Sequence, residues 1–168
     1  MDIYSFLDKT TGDWFSQRTV YTLTDNQVDN SKANLTVDLL SQSDVKELSQ
    51  QHNLNQELSL GGINTHWDNS PDWGKPKQQG NSLLFIFQNE DNIHRGKIIK
   101  LLKDNDTITG EYVFAEDKSI TFRMEKDSQY IEERIWFASD NLRFRTNIVR
   151  FKNYVTETSF YSEIRRIR

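Results

Sequence analysis

The chain has 168 residues, of which 35% are hydrophobic, a formal net charge of -4 and no cysteine. This length allows one domain with a sizeable core, so we expect a single domain over residues 1–168. The dispersed, slightly acidic charge disfavours a nucleic-acid surface, and the lack of cysteine excludes disulfides, thiolate metal ligands and a cysteine nucleophile in this chain. No apolar run reaches the roughly 18 residues of a membrane span and the N-terminus has no signal-peptide pattern, so we expect no membrane partner and a cytoplasmic location.

The N-terminal quarter predicts two short helices and two strands. Residues 2–7, DIYSFL, place apolar side chains at helical spacing behind an acidic N-cap. Residues 13–23, DWFSQRTVYTL, are rich in aromatic and β-branched residues, and residues 35–39 alternate between apolar and polar, so both segments predict strands. A short helix capped by Ser43 is predicted over SDVKELSQQHN.

The remainder of the chain predicts strands almost throughout. The segments are SLGGINTHW, SLLFIFQ, RGKIIKLLK, TITGEYVFA, SITFRME, QYIEERIWFA, NLRFRTNIVRF and YVTETSFYSEIR. About ten strands joined in sequence order leave two sheet edges, and closure of the sheet removes both. We therefore predict a mainly β fold, a single antiparallel up-and-down barrel with one or two short helices. A barrel of this size often holds a ligand.

The segment between two predicted strands at residues 68–80, DNSPDWGKPKQQG, holds both prolines of the chain and is predicted to form a flap. Trp67 and Trp73 lie at its start and within it. Either these side chains fill the core, or their aromatic faces stack on a large flat ligand at the mouth of the barrel. Both interpretations stay open at this point.

The sequence carries no signature of nucleophilic or metal-dependent catalysis. His52, His66 and His94 stand alone, without the spacing of a metal site, and are predicted to be surface or turn residues. Gly61 and Gly62 precede a strand and not a helix, so a turn explains them better than a phosphate-binding loop. We therefore predict no metal site.

Charged side chains within predicted strands are the candidate binding residues. Arg143 and Arg145 stand two apart in NLRFRTN, so they share one face of a strand at a separation of about 7 Å. Arg18 and Glu163 lie in two other predicted strands. A single strand arginine more often lies at the surface, where its stem covers apolar area, so surface and pocket positions both remain open.

The SDN turn after the eighth strand decides which side chains share the face of these two arginines. An odd number of loop residues places Glu133 there, whereas an even number places Arg134 and Trp136 there. The first arrangement pairs a carboxylate with two guanidinium groups, and the second crowds three cations. We therefore expect an odd loop and Glu133 on the arginine face.

Four segments, DWFSQRT, INTHWD, EERIWFASDNLRFRT and SFYSEIR, together resemble the S-type phycobiliprotein chromophore lyases, and the similarity covers essentially the whole chain. The resemblance implies a ten-stranded barrel like that of the fatty-acid-binding proteins, within the lipocalin superfamily. It also implies an enzyme that binds an open-chain tetrapyrrole (a bilin) and attaches it through a thioether bond to a cysteine of a phycobiliprotein subunit. The source would be a cyanobacterium, a virus infecting one, or an alga with the protein in its plastid.

The resemblance also implies a set of site residues. Glu133 and Arg143 would be catalytic, and the ligand-binding residues would be Arg18, Trp67, Trp73, Arg145, Asn147 and Glu163. In this scheme the arginines bind the propionates of the bilin, and Glu133 holds the protonated bilin, which activates ring A towards a cysteine thiolate. Asn147 stands where the family commonly has serine, so it bears on which bilin is preferred.

Phycoerythrobilin is the first expected bilin, with phycocyanobilin next, bound as a substrate and not as a prosthetic group. A phycoerythrin-type subunit is the expected acceptor, and an exposed barrel face could support a homodimer. Two alternatives stay open: a bilin or fatty-acid carrier of the same fold that does not promote attachment, and a structural barrel whose arginines face solvent.

Overall fold

A computed structural model describes residues 1–51, 53, 55–89, 91–92, 94–102 and 106–167. Over these residues the chain forms helices α1 (Ile3–Thr10) and α2 (Gln42–Gln51), a 3₁₀ helix (Gln56–Leu58) and ten strands. The strands are β1 (Gly12–Thr22), β2 (Gln27–Leu39), β3 (Ser59–Asp68), β4 (Gln79–Gln88), β5 (Arg95–Leu101), β6 (Thr107–Phe114), β7 (Ile120–Lys126), β8 (Gln129–Ser139), β9 (Leu142–Phe151) and β10 (Tyr154–Arg165).

The strands form one closed antiparallel barrel. Each strand pairs with its neighbours in the chain, and β1 pairs with β10 to close the sheet, as the sequence predicted. Closure leaves no unpaired sheet edge. In this up-and-down order the connections β1–β2, β3–β4, β5–β6, β7–β8 and β9–β10 lie at one end of the barrel, which we call the mouth. The remaining connections lie at the opposite end, which we call the closed end.

Helix α1 fills the closed end. Its predicted N-cap is confirmed, since Oδ1 of Asp2 accepts a hydrogen bond from the backbone N–H of Ser5 at 2.8 Å. Ile3, Phe6 and Leu7 are buried in the main core cluster. The ring of Phe6 makes edge-to-face contacts with three aromatic rings that point inward, those of Phe114, Phe122 and Phe137. Among the described residues, the closed end is therefore packed with apolar and aromatic side chains beneath α1.

Phe6→Ala is expected to lower the free energy of unfolding by about 3–5 kcal/mol, because it removes a buried ring and leaves a cavity under α1. Urea unfolding followed by tryptophan fluorescence measures the change. Tyr4→Ala is the matched control: Tyr4 lies in the same helix with 61% of its surface exposed, and its loss is expected to cost about 0.5 kcal/mol or less. Equal losses in the two variants would contradict the packing described for α1.

Helix α2 packs on the outer wall of the barrel. Ser41 caps it, and not Ser43 as predicted: the backbone N–H of Asp44 donates to Oγ of Ser41, and the backbone N–H of Ser41 donates to the Asp44 carboxylate, both at 3.1 Å. This reciprocal capping begins the helix two residues earlier than the sequence pattern indicated. Phe85, Phe87 and the side chains packed on them form a second apolar cluster on this wall. No helix within the described ranges is long and apolar enough to cross a membrane.

Candidate functional site

The inner wall of the barrel is apolar over much of its area and polar along β8, β9, β10 and β1. Strand register sets the polar side chains opposite one another. Arg143 faces Glu163, and Glu163 faces Ser16 on the next strand. One layer towards the mouth, Tyr161 lies between Arg145 and Arg18. We call this group the polar wall; it also includes Glu133 and Asn147, which lie opposite each other on β8 and β9.

A β-bulge sets the face of Glu133. The loop between β8 and β9 has two residues, Asp140 and Asn141, so the expected odd loop is wrong. However, the register shifts between Phe137 and Ser139, which adds one residue to β8 and restores the parity that an odd loop would have produced. Glu133 consequently shares the inner face with the two arginines, as predicted.

The residues expected to point away from the polar wall do so. The guanidinium of Arg134 forms an ion pair with Asp117 and lies 5.8 Å from the centroid of the Trp136 ring on the outer surface. The alternative in which the arginines face solvent is wrong, since the side chains of Arg143 and Arg145 are 5% and 21% exposed.

Arg143 and Glu163 form a buried ion pair next to α1. Nε of Arg143 lies 2.5 Å from Oε2 of Glu163, whose side chain is fully buried and also accepts a hydrogen bond from Ser16 Oγ at 3.2 Å. The guanidinium of Arg143 donates to Oγ1 of Thr10 at the end of α1, and its Cζ lies 4.3 Å from the centroid of the Trp14 ring. Arg143 therefore has protein partners on each side.

Burial disfavours the charged form of both residues. The ion pair offsets this effect on the pKa incompletely for Arg143 and more than completely for Glu163. Burial lowers the pKa of Arg143, although Glu163 favours its charged form. For Glu163, burial would raise the pKa, but the positive charges of Arg145 and Arg143 outweigh it, so its pKa lies below its ordinary value. Glu163 is therefore an ionised carboxylate at neutral pH.

Arg145 lies above this pair, towards the mouth. Its Nη2 donates to Oε1 of Glu163 at 2.8 Å, and its Nη1 lies 3.6 Å from Oε2 of Glu133. Burial works against the charge of Arg145, yet Glu163 and Glu133 together raise its pKa. The guanidinium stacks on Tyr161, with Cζ 3.9 Å from the ring centroid. Its Nε is buried and has no hydrogen-bond partner in the structure.

Two further groups of the polar wall have capacity to bind a ligand. Nε of Arg18 donates to Oγ of Ser31 at 3.0 Å, and none of the described carboxylates forms an ion pair with this guanidinium. Oδ1 of Asn147 is buried without a hydrogen-bond donor. An unpartnered buried acceptor costs free energy, and a ligand N–H group would remove that cost. The polar wall thus offers a free cation, a free donor at Arg145 and a free acceptor.

The two predicted tryptophans lie in different environments. Trp67 points into the barrel and packs against the core cluster. A Cβ atom at Gly80 on the neighbouring strand would lie 2.7 Å from Trp67 Nε1, so the ring needs glycine there. Trp73 is 89% exposed in the β3–β4 loop, which is fastened to β2 through a 2.9 Å ion pair between Lys75 and Asp29. The structure brings Trp67 to the inner wall and leaves Trp73 outside it.

Sequence reasoning missed Tyr161 and Thr10 as parts of this site. Tyr161 could have been found, because it stands two positions before Glu163 and must share its face. Thr10 could not, because it lies in a helix whose docking position is a tertiary property.

The described residues contain no group of three or more His, Cys, Asp and Glu side chains that could hold a metal ion. His66 and His94 are exposed, as predicted, and His52 lies outside the described residues.

The CpeS-like protein family matches residues 2–166 of this chain. The chain belongs to this family. A chromophore lyase CpcS/CpeS of Thermosynechococcus vestitus is 34% identical over 98% of this chain and 93% of its own length. The chromophore lyase CpcS/CpeS 1 of Trichodesmium erythraeum is 30% identical over 100% of this chain and 99% of its own length. The family expected from the sequence is thus confirmed.

The fold of this CpeS-like protein is also that of a solved structure. The S-type phycobiliprotein lyase CPES from Guillardia theta superposes with a TM-score of 0.84 and 22% sequence identity, over 100% of this chain and 94% of that one. The barrel predicted from the sequence is therefore a fold that this chain shares with that protein.

Proposed function

We propose that this CpeS-like protein binds an open-chain tetrapyrrole inside the barrel and promotes its thioether attachment to a cysteine of a phycobiliprotein subunit. Phycoerythrobilin and a phycoerythrin-type subunit are the first choice. Phycocyanobilin stays the second choice, because a 27% identical relative from Picosynechococcus is named a phycocyanobilin lyase subunit. A cytoplasmic location stays a prediction.

The observation that carries the proposal is the chemistry of the polar wall. A bilin carries propionate groups, which accept hydrogen bonds, and pyrrole N–H groups, which donate them. Arg18 and Nε of Arg145 supply donors for propionate, and Oδ1 of Asn147 supplies an acceptor for a pyrrole N–H. Glu133, whose side chain is 13% exposed, adds a carboxylate beside that acceptor. Arg145 and Asn147 lie on β9 and Arg18 lies on β1, the two strands that flank β10 in one wall.

The same geometry revises two expected roles. Arg143 and Glu163 were expected to act on the ligand, as a catalytic and a binding residue. Both are enclosed by protein groups, and Arg145 contacts Glu163 from the side of the mouth. We therefore assign both residues a positioning role. Glu163 orients Arg145, and Arg143 is the second counter-charge of the Glu163 carboxylate. Trp73 contacts a bilin only if its loop moves over the mouth.

In the proposed reaction the protein's residues bind, orient and hold a proton. The carboxylate of Glu133 accepts a hydrogen bond from a protonated pyrrole and so stabilises the protonated bilin. The added proton draws electron density from ring A. The sulfur of the acceptor thiol then bonds to the ethylidene carbon of ring A. The proton of the thiol ends on the ring carbon at the other end of that double bond, so the addition needs no oxidant or reductant. Binding in one shape also lowers the ordering cost of the flexible tetrapyrrole.

The test is an attachment assay with phycoerythrobilin and phycocyanobilin in parallel. Each bilin is incubated with apo-phycoerythrin subunit, with and without this protein, and the subunit is separated under denaturing conditions. We expect a covalent adduct that forms faster, and at one site, when the protein is present. A coloured complex that transfers nothing to the subunit would instead support the non-attaching carrier. A subunit whose acceptor cysteine is replaced by serine is the control for non-covalent colour.

A further inference from the structure

Large apolar side chains stand exposed along one arc of the mouth. Tyr154 and Trp73 are 76% and 89% exposed, and Leu23, Val28 and Phe151 are exposed as well. A soluble protein rarely groups such side chains on its surface without an interaction partner. We call these five residues the apolar arc.

The arc is continuous around the barrel. Phe151 pairs with Tyr154 across the β9–β10 turn. The backbone N–H of Leu23 donates to the carbonyl of Thr156 at 2.9 Å, which joins the β1–β2 turn to β10. Val28 follows on β2, and the ion pair between Lys75 and Asp29 fastens the loop of Trp73 to the same strand.

The opposite side of the mouth is polar. The described part of its rim presents Asp106, Lys126, Asp127 and Ser128, and Lys126 forms an ion pair with Asp106. No exposed large hydrophobic side chain lies in that described part. Around the mouth, the exposed apolar side chains of the described residues therefore lie on one side.

The arc lies above the polar wall. Strands β9, β10 and β1 carry Asn147, Tyr161 and Arg18 on their inner face, and the arc residues of these strands lie four to seven residues away in the direction of the mouth. From Arg18 to Leu23 the strand rises about 17 Å. At the closed end, the described residues of α1 are packed against the core cluster and against the Arg143 ion pair of the polar wall. This favours the mouth as the side from which a protein would receive a ligand from the polar wall.

We propose that the apolar arc is the docking surface for the acceptor protein, which presents its thiol at the mouth beside the bilin. This inference rests on the proposed function. Continuity with the ligand site favours the acceptor over a second copy of this chain, since a copy seated on the arc would block the mouth. A lipid surface is disfavoured because charges near the arc balance: Asp25, Asp29 and Asp72 against Lys75, Lys77 and Lys152.

The experiment uses the double variant Leu23→Ser/Tyr154→Ser. Both side chains are exposed at the mouth and lie outside the polar wall, so the affinity for phycoerythrobilin in an absorbance titration is expected to stay within about twofold. The KM for apo-phycoerythrin subunit in the attachment assay is expected to rise about tenfold, with kcat nearly unchanged. Tyr4→Ser is the control, because Tyr4 is 61% exposed on α1 at the closed end and should leave the KM unchanged. A KM equal to that of the parent would overturn the docking surface.

A second measurement separates this inference from the proposed function. Binding of an apo-subunit with its acceptor cysteine replaced by serine is measured by sedimentation velocity, which requires no attachment. If the parent forms no adduct, the proposed function fails, but binding of the apo-subunit still tests the docking surface. Weaker binding by the double variant than by the parent supports the docking surface. Equal binding by both, or undetectable binding by the parent, overturns it. A parent dimer that the double variant converts to a monomer would assign the arc to a second copy. If the parent bound phosphatidylglycerol vesicles and the double variant did not, the apolar arc would be assigned to a lipid surface. The dimer result and the vesicle result would each overturn the proposal.

Discussion

Glu163→Gln is expected to lower the free energy of unfolding by about 3–5 kcal/mol, because it leaves Arg143 buried without a counter-charge. The amide matches the carboxylate in shape, so the loss reports charge and not volume. Arg143 is only 5% exposed, and water cannot replace the missing partner. Urea unfolding at neutral pH measures the change.

Glu132→Gln is the matched control for this prediction. Glu132 points outward one position from Glu133, and its ion pair with Arg123, at 3.3 Å, lies at the surface. Loss of an exposed ion pair costs about 0–1 kcal/mol. A loss of less than about 1 kcal/mol in Glu163→Gln, similar to that of the control, would show that the buried pair is not needed for stability.

The effect of Glu163→Gln on the free energy of unfolding is expected to depend on pH. Burial would raise the pKa of Glu163, but Arg145 and Arg143 outweigh it and hold the pKa below its ordinary value of 4.5. A carboxyl group whose pKa is lowered by folding adds stability above its unfolded pKa, and this stability is lost as the pH falls through the folded pKa. The difference in free energy of unfolding between the parent and Glu163→Gln should therefore be constant near neutral pH and shrink below pH 4.5.

Arg18→Gln is expected to weaken the binding of phycoerythrobilin by about 10- to 100-fold, because it removes the cation with the most capacity for a propionate. Arg18 forms no ion pair with a described carboxylate, so the change should cost about 1 kcal/mol or less in stability. Absorbance titration measures the dissociation constant, and urea unfolding measures the stability.

Arg134→Gln is the control for charge alone, because its guanidinium lies on the outer surface of the same barrel. It removes one positive charge and should bind phycoerythrobilin as the parent does. If Arg18→Gln also bound as the parent does, the propionates would be held elsewhere, and the assignment of Arg18 would be lost. Arg145 is a less clean test, since its replacement also removes a partner of Glu163.

The variants Glu163→Gln and Arg18→Gln test different layers of the polar wall. The lower layer, Arg143 with Glu163, joins β9, β10 and α1 and is compensated within the protein. The upper layer, Arg145 with Glu133 and Arg18, lies nearer the mouth and holds unpartnered donors. A stability defect without a matching binding defect locates a residue in the lower layer, and the reverse locates it in the upper one.

The strand pattern and the family were predictable from local features. Period-two alternation predicts strands because successive side chains point to opposite faces, and a meander of strands removes its edges by closing. The pairing of Glu133 with the two arginines was also predictable, because face-sharing depends only on parity and charge. The reason given for that parity was wrong, since a bulge supplied the extra residue that the turn lacked.

The sequence by itself determined the barrel and the set of charges that share one wall, because strand periodicity and pairing order predict the first and charge complementarity predicts the second. Only the tertiary structure decided how deeply each charge is buried. Arg143 and Arg145 look equivalent in NLRFRTN, yet α1 docks beside the first and leaves the second facing the interior. Trp67 and Trp73 likewise look similar in THWDNSPDW, and only the fastening of the β3–β4 loop to β2 leaves Trp73 outside. The physical reason is that burial is set by contacts between segments far apart in the chain, which no local pattern encodes.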